Sequence, residues 1–404
     1  MTRRILFVDD EPIVLNGIRR MLRAFRQEWD MEFAPGGPEG LALLASNPVD
    51  VVVTDMRMPS MDGAQFLTEV RERYPQTVRI VLTGQSSREA MLRAVRVAHR
   101  HLSKPCDAGV LRSTVQSACA LRELLADNAL YASLSRLNSV PSPPAMYLEV
   151  VKELESPEPS LEKVGRIIEQ DVGMTAKILQ MVHSAFFGVR AQVRGPAQAV
   201  LFLGSETTKV LVLAGNIFSQ MDAKVLKSFA LDALWAHSQT VSRLAAAITR
   251  SQQCEQRVIQ EARMAGLIHD TGKLILASCL PDRYGEVLLL ARRENLSVAK
   301  AERQLFGATH AEIGAYLLAL WGLPDSLVEP VAWHHRPNEC PAIGFTPLTA
   351  VHVANALARE GDPDLGEDEG DSLHMAYLER IGLAERLSAW RALRDSPDNE
   401  DEEP

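Results

Sequence analysis

The chain has 404 residues, of which 46% are hydrophobic and 24% are charged, and its formal net charge at pH 7 is -9. This length predicts about two to three domains, and the apolar content excludes a disordered or fibrous protein. No run approaches ~18 apolar residues and the N-terminus leads directly into a predicted strand, so we expect a cytoplasmic protein without membrane association. The five cysteines form no CxxC pair, which favours a reducing compartment and argues against a structural zinc site.

The negative charge is concentrated in two segments. Residues 360–371 and 395–404 carry seven and six acidic side chains and no basic ones, so the remainder is net positive. Such segments are typically solvated, and we predict a disordered acidic tail at 392–404. The sequence contains no helix-turn-helix, zinc finger or basic arm, so direct DNA binding is not expected.

Three short, β-branched runs mark the N-terminal strands: 5–8 (ILFV), 51–54 (VVVT) and 80–83 (IVLT). Amphipathic segments of helical period lie between them, as in Val14, Ile18, Met21 and Leu22. Alternating strands and helices predict βαβ units with right-handed crossovers. We therefore predict a doubly wound α/β domain with a parallel sheet over residues 1–122.

Polar residues follow these strands at one edge of the predicted sheet: Asp9, Asp10, Asp55, Thr83 and Lys104. Ligand sites in such sheets lie at the carboxyl ends of the strands. Three carboxylates in one pocket favour Mg²⁺, with Asp55 as the nucleophile toward a phosphoryl group. Thr83 and Lys104 would contact its oxygens. The alternative for an Asp-Asp pair after a strand is a helix N-cap.

The motifs VDD, TDMRMPSMDG, VLTG and HLSKP together resemble the receiver domain of two-component response regulators. The resemblance implies a five-stranded, flavodoxin-like fold in which Asp9, Asp10 and Asp55 hold Mg²⁺. It also implies phosphorylation of Asp55 by a partner histidine kinase or a small phosphodonor. The switch residue three positions before Lys104 is His101, where this family usually has Tyr or Phe. An X-Pro bond, here Lys104–Pro105, is also a candidate cis peptide.

Two features point to communication beyond the receiver. Arg93, Arg96 and Arg100 are spaced as on one helix, which is either a solvated face or a docking surface for a partner or the second domain. Residues 107–138 predict a helical linker that overlaps the last receiver helix. This linker is a candidate signalling lever or homodimer seam. The VPSPP segment at 140–144 ends it.

Residues 139–391 predict an all-α region. It contains PSPPAMYLEVVKEL, VGRIIEQDVGMTAKILQMVHSAFFG, PAQAVLFLG and GLIHDTGKLIL, which together resemble the HDOD domain, a relative of the HD-superfamily phosphohydrolases. His183 departs from the family pattern, which usually has Asn. Since HDOD domains are known mainly as signalling modules, the resemblance implies that the domain binds a signalling protein or dimerises.

Further residues follow the order of metal ligands in catalytic HD domains: His237, His269, Asp270, His310, His334 and His335. Imidazole and carboxylate ligands suit a divalent transition metal such as Fe, Mn, Zn or Ni, and a bridging Asp270 would suit a two-metal site. Lys273 is a candidate phosphate contact. Asn355 stands where the family has a final Asp, and no GYP motif follows His335.

Two functions for the helical domain therefore stay open. One is a non-catalytic module that transmits the phosphorylation signal by binding a partner or dimerising, and the other is a metal-dependent phosphohydrolase or phosphodiesterase. For each histidine, the alternative role is a hydrogen-bonded core residue. We expect that role for His99, His352 and His374, which fit no pattern.

Overall fold

The computed structural model describes residues 3–83, 97–124, 141–142, 149–150, 152–154, 156, 158–182, 193, 195–209, 219–220, 229, 231–340, 343–360 and 373–395. The chain divides into two compact units. The first comprises Met1–Ile168, Ala176–Gln220 and Tyr316–Leu323, and the second comprises Glu169–Thr175, Met221–Ala315 and Pro324–Pro404. No helix in the described ranges combines the length and apolar character needed to cross a membrane.

The N-terminal sheet has five parallel strands in the order β2-β1-β3-β4-β5. They are β1 (Arg3–Val8), β2 (Trp29–Ala34), β3 (Val51–Asp55), β4 (Val78–Thr83) and β5 (Arg100–Ser103). This order confirms the predicted doubly wound, flavodoxin-like fold. Its apolar runs are continuous because helices cover both faces of such a sheet.

Helices follow the strands as the alternating pattern predicts. They are α1 (Pro12–Met21), a 3₁₀ turn (Arg23–Phe25), α2 (Gly37–Ser46), α3 (Gly63–Arg73) and α4 (Ala108–Leu124). Leu6, Val52, Val81 and Phe66 are buried in the core between sheet and helices. The predicted linker is helical through Leu124, and its remainder lies outside the described residues.

The C-terminal region is largely helical, as predicted. Its helices are α5 (Leu161–Glu169), α6 (Val172–Val182), α7 (Pro196–Lys209), α8 (Leu231–Ser251), α9 (Gln256–Ile268), α10 (Thr271–Cys279), α11 (Pro281–Glu294), α12 (Val298–Phe306), α13 (His310–Leu320), α14 (Asp325–Trp333), α15 (Pro347–Arg359), α16 (Met375–Arg380) and α17 (Leu387–Asp395), with 3₁₀ turns at Pro337–Glu339 and Ala384–Arg386. Two short strands, β6 (Pro141–Ser142) and β7 (Ser219–Gln220), pair in parallel. Two-residue strands were not predicted, since they are too short to show a period.

Within the second unit, α8 packs against α9 and α15, and α14 packs against the same two helices. The contact between α8 and α9 is close because Gly266 faces the backbone of Ser242, where a Cβ would lie 2.9 Å from the Cα. This packing brings α8, α9, α14 and α15 together around the histidines that they carry.

The C-terminal boundary differs from the predicted tail. Helix α17 continues to Asp395, so residues 392–395 are helical. Glu360, predicted as part of a solvated acidic segment, is exposed and accepts hydrogen bonds from Arg391 at 2.8 Å and Arg394 at 3.0 Å. Trp390 of the same helix is fully buried, which explains why the helix extends into the acidic sequence. Residues 361–371 and 396–404 lie outside the described residues.

Candidate functional site

Two buried carboxylates and one lysine meet at the carboxyl edge of the sheet. Asp9 follows β1 and Asp55 ends β3, and the parallel register pairs Val8 with Thr54, so both acids emerge side by side. The Nζ atom of Lys104 lies 2.6 Å from Asp9 Oδ2 and also contacts Asp55 Oδ1. Burial alone disfavours the ammonium, but the hydrogen bonds and charges of Asp55 and Asp9 outweigh it and raise the pKa of Lys104. The ammonium of Lys104 therefore forms ion pairs with both carboxylates.

Backbone groups around Asp55 fix its orientation. The amide of Arg57 donates to Asp55 Oδ2, and the amide of Gly63 donates to the carbonyl of Met56 at 3.0 Å. A Cβ on Gly63 would lie 2.1 Å from the Asp55 carbonyl oxygen, so glycine is required there. Asp62 caps α3 by accepting from the amide of Gln65 at 2.8 Å. The MPSMDG segment thus folds the chain tightly behind the carboxylate.

The other predicted receiver residues lie at the same edge or outside the described atoms. Asp10 follows Asp9 and is partly exposed, and His101 is buried on β5. Thr83 ends β4, but its hydroxyl lies outside the described atoms. The Lys104–Pro105 peptide bond is cis. Oxygen ligands from the acidic residues suit Mg²⁺, so the donor set at this edge fits that ion.

The predicted arginine face is only partly described. Arg93 and Arg96 lie outside the described residues. Arg100 begins strand β5, so its placement on a helix was wrong. Its guanidinium donates to the carbonyl of Ala319 at 2.7 Å within the first unit.

A second cluster surrounds the side chain of Asp270, which is fully buried at the start of α10. Asp270 Oδ1 lies 3.2 Å from His310 Nε2 and 3.7 Å from His334 Nε2. Asp270 Oδ2 lies 3.3 Å from His269 Nε2 and 4.0 Å from His237 Nε2. The structure thus brings together, around one carboxylate, residues that are up to 97 positions apart from His237 to His334.

The remaining two predicted residues adjoin this cluster. His335 Nε2 lies 2.9 Å from His310 Nε2, and Lys273 Nζ lies 2.7 Å from Asp270 Oδ2. Two groups of potential metal ligands result, each with its donor atoms within 4.8 Å of one another. One group is Asp270, His310, His334 and His335, and the other is His237, His269 and Asp270.

Hydrogen bonds at Nδ1 orient three of these imidazoles. His269 Nδ1 bonds to the carbonyl of Gly266 at 2.7 Å, and His334 Nδ1 bonds to the carbonyl of Val331 at 2.9 Å. His310 Nδ1 bonds to Glu302 Oε2 at 2.6 Å. Since an acceptor at Nδ1 requires a proton there, each of these rings in its neutral form has its lone pair on Nε2, toward Asp270. The Nε2 atoms of His269 and His334 are buried and make no hydrogen bond to described residues, as expected of metal ligands.

Glycine allows the close approach that builds this cluster. A Cβ on Gly272 would lie 1.9 Å from the carbonyl oxygen of His310. The first turn of α10 can therefore touch the start of α13 only because residue 272 has no side chain. Gly314, one turn along α13, faces the amide of Gly272. This contact places Asp270 beside His310.

The charges of the cluster are tightly coupled. Burial favours the protonated acid, but His269 and Lys273 outweigh burial and hold the pKa of Asp270 well below its usual range. Burial also disfavours a charged His310, yet Glu302 overcomes this and raises the pKa of His310. Burial and the adjacent His335 hold the pKa of His334 well below its usual range. A metal that binds here would displace the proton from His310.

Sequence reasoning missed two residues of this site. Glu302 on α12 is fully buried against His310, and the Nη2 atom of Arg359, at the end of α15, lies 3.8 Å from Asp270 Oδ2. Neither belongs to a motif. The one available signal for Glu302 was an acidic residue on the inner face of an amphipathic segment, which is unusual for a core.

His99 and His352 have hydrogen-bond partners, as expected, whereas the buried Nε2 atom of His374 makes no hydrogen bond to the described residues. His99 contacts Arg79 through both ring nitrogens, at 3.1 and 2.8 Å. His352 Nδ1 bonds to the carbonyl of His334 at 2.7 Å, and its Nε2 accepts from the amide of His374 at 3.1 Å. His352 therefore supports the backbone of a candidate ligand.

Comparison with known families matches both regions. The response regulator receiver domain model matches residues 5–116, and the HDOD domain model matches residues 140–337. An uncharacterized protein of Treponema pallidum is 24% identical over 234 residues, which are 57% of this chain and 44% of that protein. The response regulator protein PilR of Pseudomonas aeruginosa is 35% identical over 130 residues, which are 31% of this chain and 28% of PilR. The chain thus spans less than half the length of these curated relatives.

Solved structures also show similarity to parts of this chain. The MmoQ response regulator of Methylococcus capsulatus aligns with 63% of this chain and 98% of its own, at 22% identity and a TM-score of 0.47. The receiver domain of an HD domain-containing protein from Pseudomonas fluorescens aligns with 30% of this chain and 98% of its own, at 30% identity and a TM-score of 0.29. From the two family matches, the chain contains an N-terminal response regulator receiver domain and a C-terminal HDOD domain.

Proposed function

We propose that Asp55 is the phosphoryl acceptor of this phosphorylation-controlled regulator and that Asp9, Asp10 and Asp55 hold Mg²⁺. The observation that carries this proposal is the ammonium of Lys104 shared between Asp9 and Asp55. When bound, Mg²⁺ neutralises charge on the carboxylates and the phosphoryl oxygens. An Asp55 oxygen forms the new bond to phosphorus while the bond to the leaving group of the histidine kinase or small phosphodonor breaks.

Phosphorylation would change the electrostatics around Lys104. The new group adds about two negative charges and three acceptor oxygens, which compete with Asp9 for the ammonium. Thr83 and His101 lie on the adjacent strands β4 and β5 and would respond to the new group. The HDOD domain would transmit this change by binding a signalling protein or by dimerising.

The Asp270 cluster supports a second function, metal-dependent hydrolysis of a phosphate ester. Its candidate ligands have oriented imidazoles and a deprotonated carboxylate, which suit Fe, Mn, Zn or Ni. A bound ion would supply Lewis acidity and a water of lowered pKa. Lys273 and Arg359 bring two positive charges to the same carboxylate and would attract the phosphate of a substrate.

Elemental analysis tests the second function. Protein purified without chelators should contain near-stoichiometric metal, and the His269→Ala/Asp270→Ala variant should lose it. Glu286→Gln, an exposed change on α11, is the matched control and should retain the metal. Hydrolysis of an activated phosphate diester should depend on that metal. Absence of metal from the wild type would exclude this function and leave signal transmission as the role of the domain.

A further inference from the structure

The two oxygens of Asp270 have unlike surroundings. Oδ1 lies near the imidazoles of His310 and His334. Oδ2 lies 2.7 Å from the ammonium of Lys273 and 3.8 Å from the guanidinium of Arg359. Two fixed positive charges therefore already neutralise the Oδ2 side, whereas Oδ1 faces ligands that are oriented for a cation.

The Oδ2 side offers fewer ligands than the Oδ1 side, since His269 is the one imidazole there whose orientation matches that of His310 and His334. His237 Nε2 is bonded to the Oδ1 atom of Asn355 at 2.8 Å. A metal that binds His237 Nε2 would have to replace this hydrogen bond to the neutral amide. The side-chain amide of Asn355 is neutral, so it does not offset the charge of a cation as a carboxylate would. A divalent ion between His237, His269 and Asp270 would also lie close to the Lys273 ammonium, which would repel it.

The Oδ1 side has a complete ligand set for one ion. Glu302 orients His310 and the Val331 carbonyl orients His334, so both rings direct the basic Nε2 toward Oδ1. His335 Nε2, next to His310 Nε2 at 2.9 Å, adds a third imidazole. Three imidazoles and one carboxylate oxygen satisfy a four-coordinate ion, or leave positions for water on an ion with higher coordination.

We propose that this HDOD domain binds a single divalent ion, through Asp270, His310, His334 and His335, and that Lys273 takes the place of a second cation. The inference rests on the proposed metal site and adds its stoichiometry and position. A one-ion centre with an adjacent ammonium would bind the phosphate of its substrate through protein cations in place of a second metal ion.

This inference is tested by counting the ions bound per chain in the wild type and in variants on the Oδ1 and Oδ2 sides of Asp270. Metal-free protein is titrated with Co²⁺ or Zn²⁺ by calorimetry, and bound metal is measured after desalting. We expect one ion per chain in the wild type and in His237→Ala, and a loss of affinity of more than about 100-fold in His310→Ala. His310→Gln replaces His310→Ala if circular dichroism shows that the alanine variant does not fold.

A gain of metal provides the converse test. Asn355→Asp/Lys273→Met adds a carboxylate beside His237 and removes the ammonium, so it should bind two ions per chain. If this variant binds one ion per chain, Lys273 and Asn355 are not the residues that prevent binding of a second ion. Two ions in the wild type, or loss of the ion in His237→Ala, would overturn the single-ion inference while leaving the hydrolase function intact. No ion in the wild type would overturn both.

Discussion

Glu302 accepts two hydrogen bonds from His310, one from the backbone amide at 2.7 Å and one from Nδ1 at 2.6 Å. Both side chains are fully buried. The double contact fixes the start of α13 and the direction of the imidazole at the same time. Glu302 is therefore a positioning residue, which acts on Asp270 and any bound ion through His310.

Removing the charge of Glu302 should weaken metal binding. We expect Glu302→Gln to lower the affinity for Co²⁺ or Zn²⁺ about 10-fold to 100-fold, since the neutral amide makes Nε2 of His310 less basic. Competition with a chromogenic chelator measures the change, and the exposed Glu286→Gln is the control. Equal affinity in the wild type and Glu302→Gln would show that Glu302 only supports the fold.

Gly272 should tolerate no side chain. Gly272→Ala would force a Cβ within 1.9 Å of the His310 carbonyl, so we expect a loss of about 1–3 kcal/mol of unfolding free energy or more. Metal affinity should fall as α10 and α13 separate. Gly285→Ala is the matched control, because that helical position has open space and should be stabilised by about 0.5–1 kcal/mol. Urea unfolding distinguishes the two, and equal stability of both variants would contradict the predicted clash.

Asp55→Asn should abolish phosphorylation. The amide lacks the nucleophilic oxygen, so incubation with acetyl phosphate and Mg²⁺ should leave the intact mass unchanged, whereas the wild type gains one phosphoryl group. Asp62→Asn lies on the same loop and keeps its helix cap, since Asn and Asp cap equally well. It should be phosphorylated normally. A phosphorylated Asp55→Asn would place the acceptor elsewhere.

Lys177 should make stability depend on pH. It is almost fully buried on α6, donates to Gln180 Oε1 at 2.8 Å, and burial lowers the pKa of Lys177 to about 7. Its pKa in the unfolded chain is near 10.5, so folding releases a proton between these values. Stability should therefore fall as pH drops from about 10.5 to 7.

Replacing Lys177 by methionine should remove this pH dependence of stability. Lys177→Met should be more stable than the wild type at pH 7 by a few kcal/mol, and the difference should shrink toward pH 10. Urea unfolding at several pH values measures it. Lys163→Met, on the exposed face of α5, should show no such difference. A constant gap between the wild type and Lys177→Met across this range would indicate that the buried amine is charged throughout.

The receiver could be predicted closely from the sequence. Its strands are short apolar runs, and parallel order places Asp9, Asp55 and Lys104 at one edge by geometry alone. Both family matches confirmed the domains expected from the motifs. Arg100 was wrongly placed on a helix because its spacing from Arg93 and Arg96 fits a helical period by coincidence. Three arginines are too few to show where a helix ends and the next strand begins.

The HDOD site shows the limit of that reasoning. The motifs alone established which imidazoles and which carboxylate are available and in what order they occur. The folded chain was needed to show that Glu302 orients His310, that Arg359 approaches Asp270, and that Asn355 is bonded to His237. These contacts join helices whose spacing along the chain follows no period, so their geometry depends on packing, including the backbone approach that glycine permits at position 272.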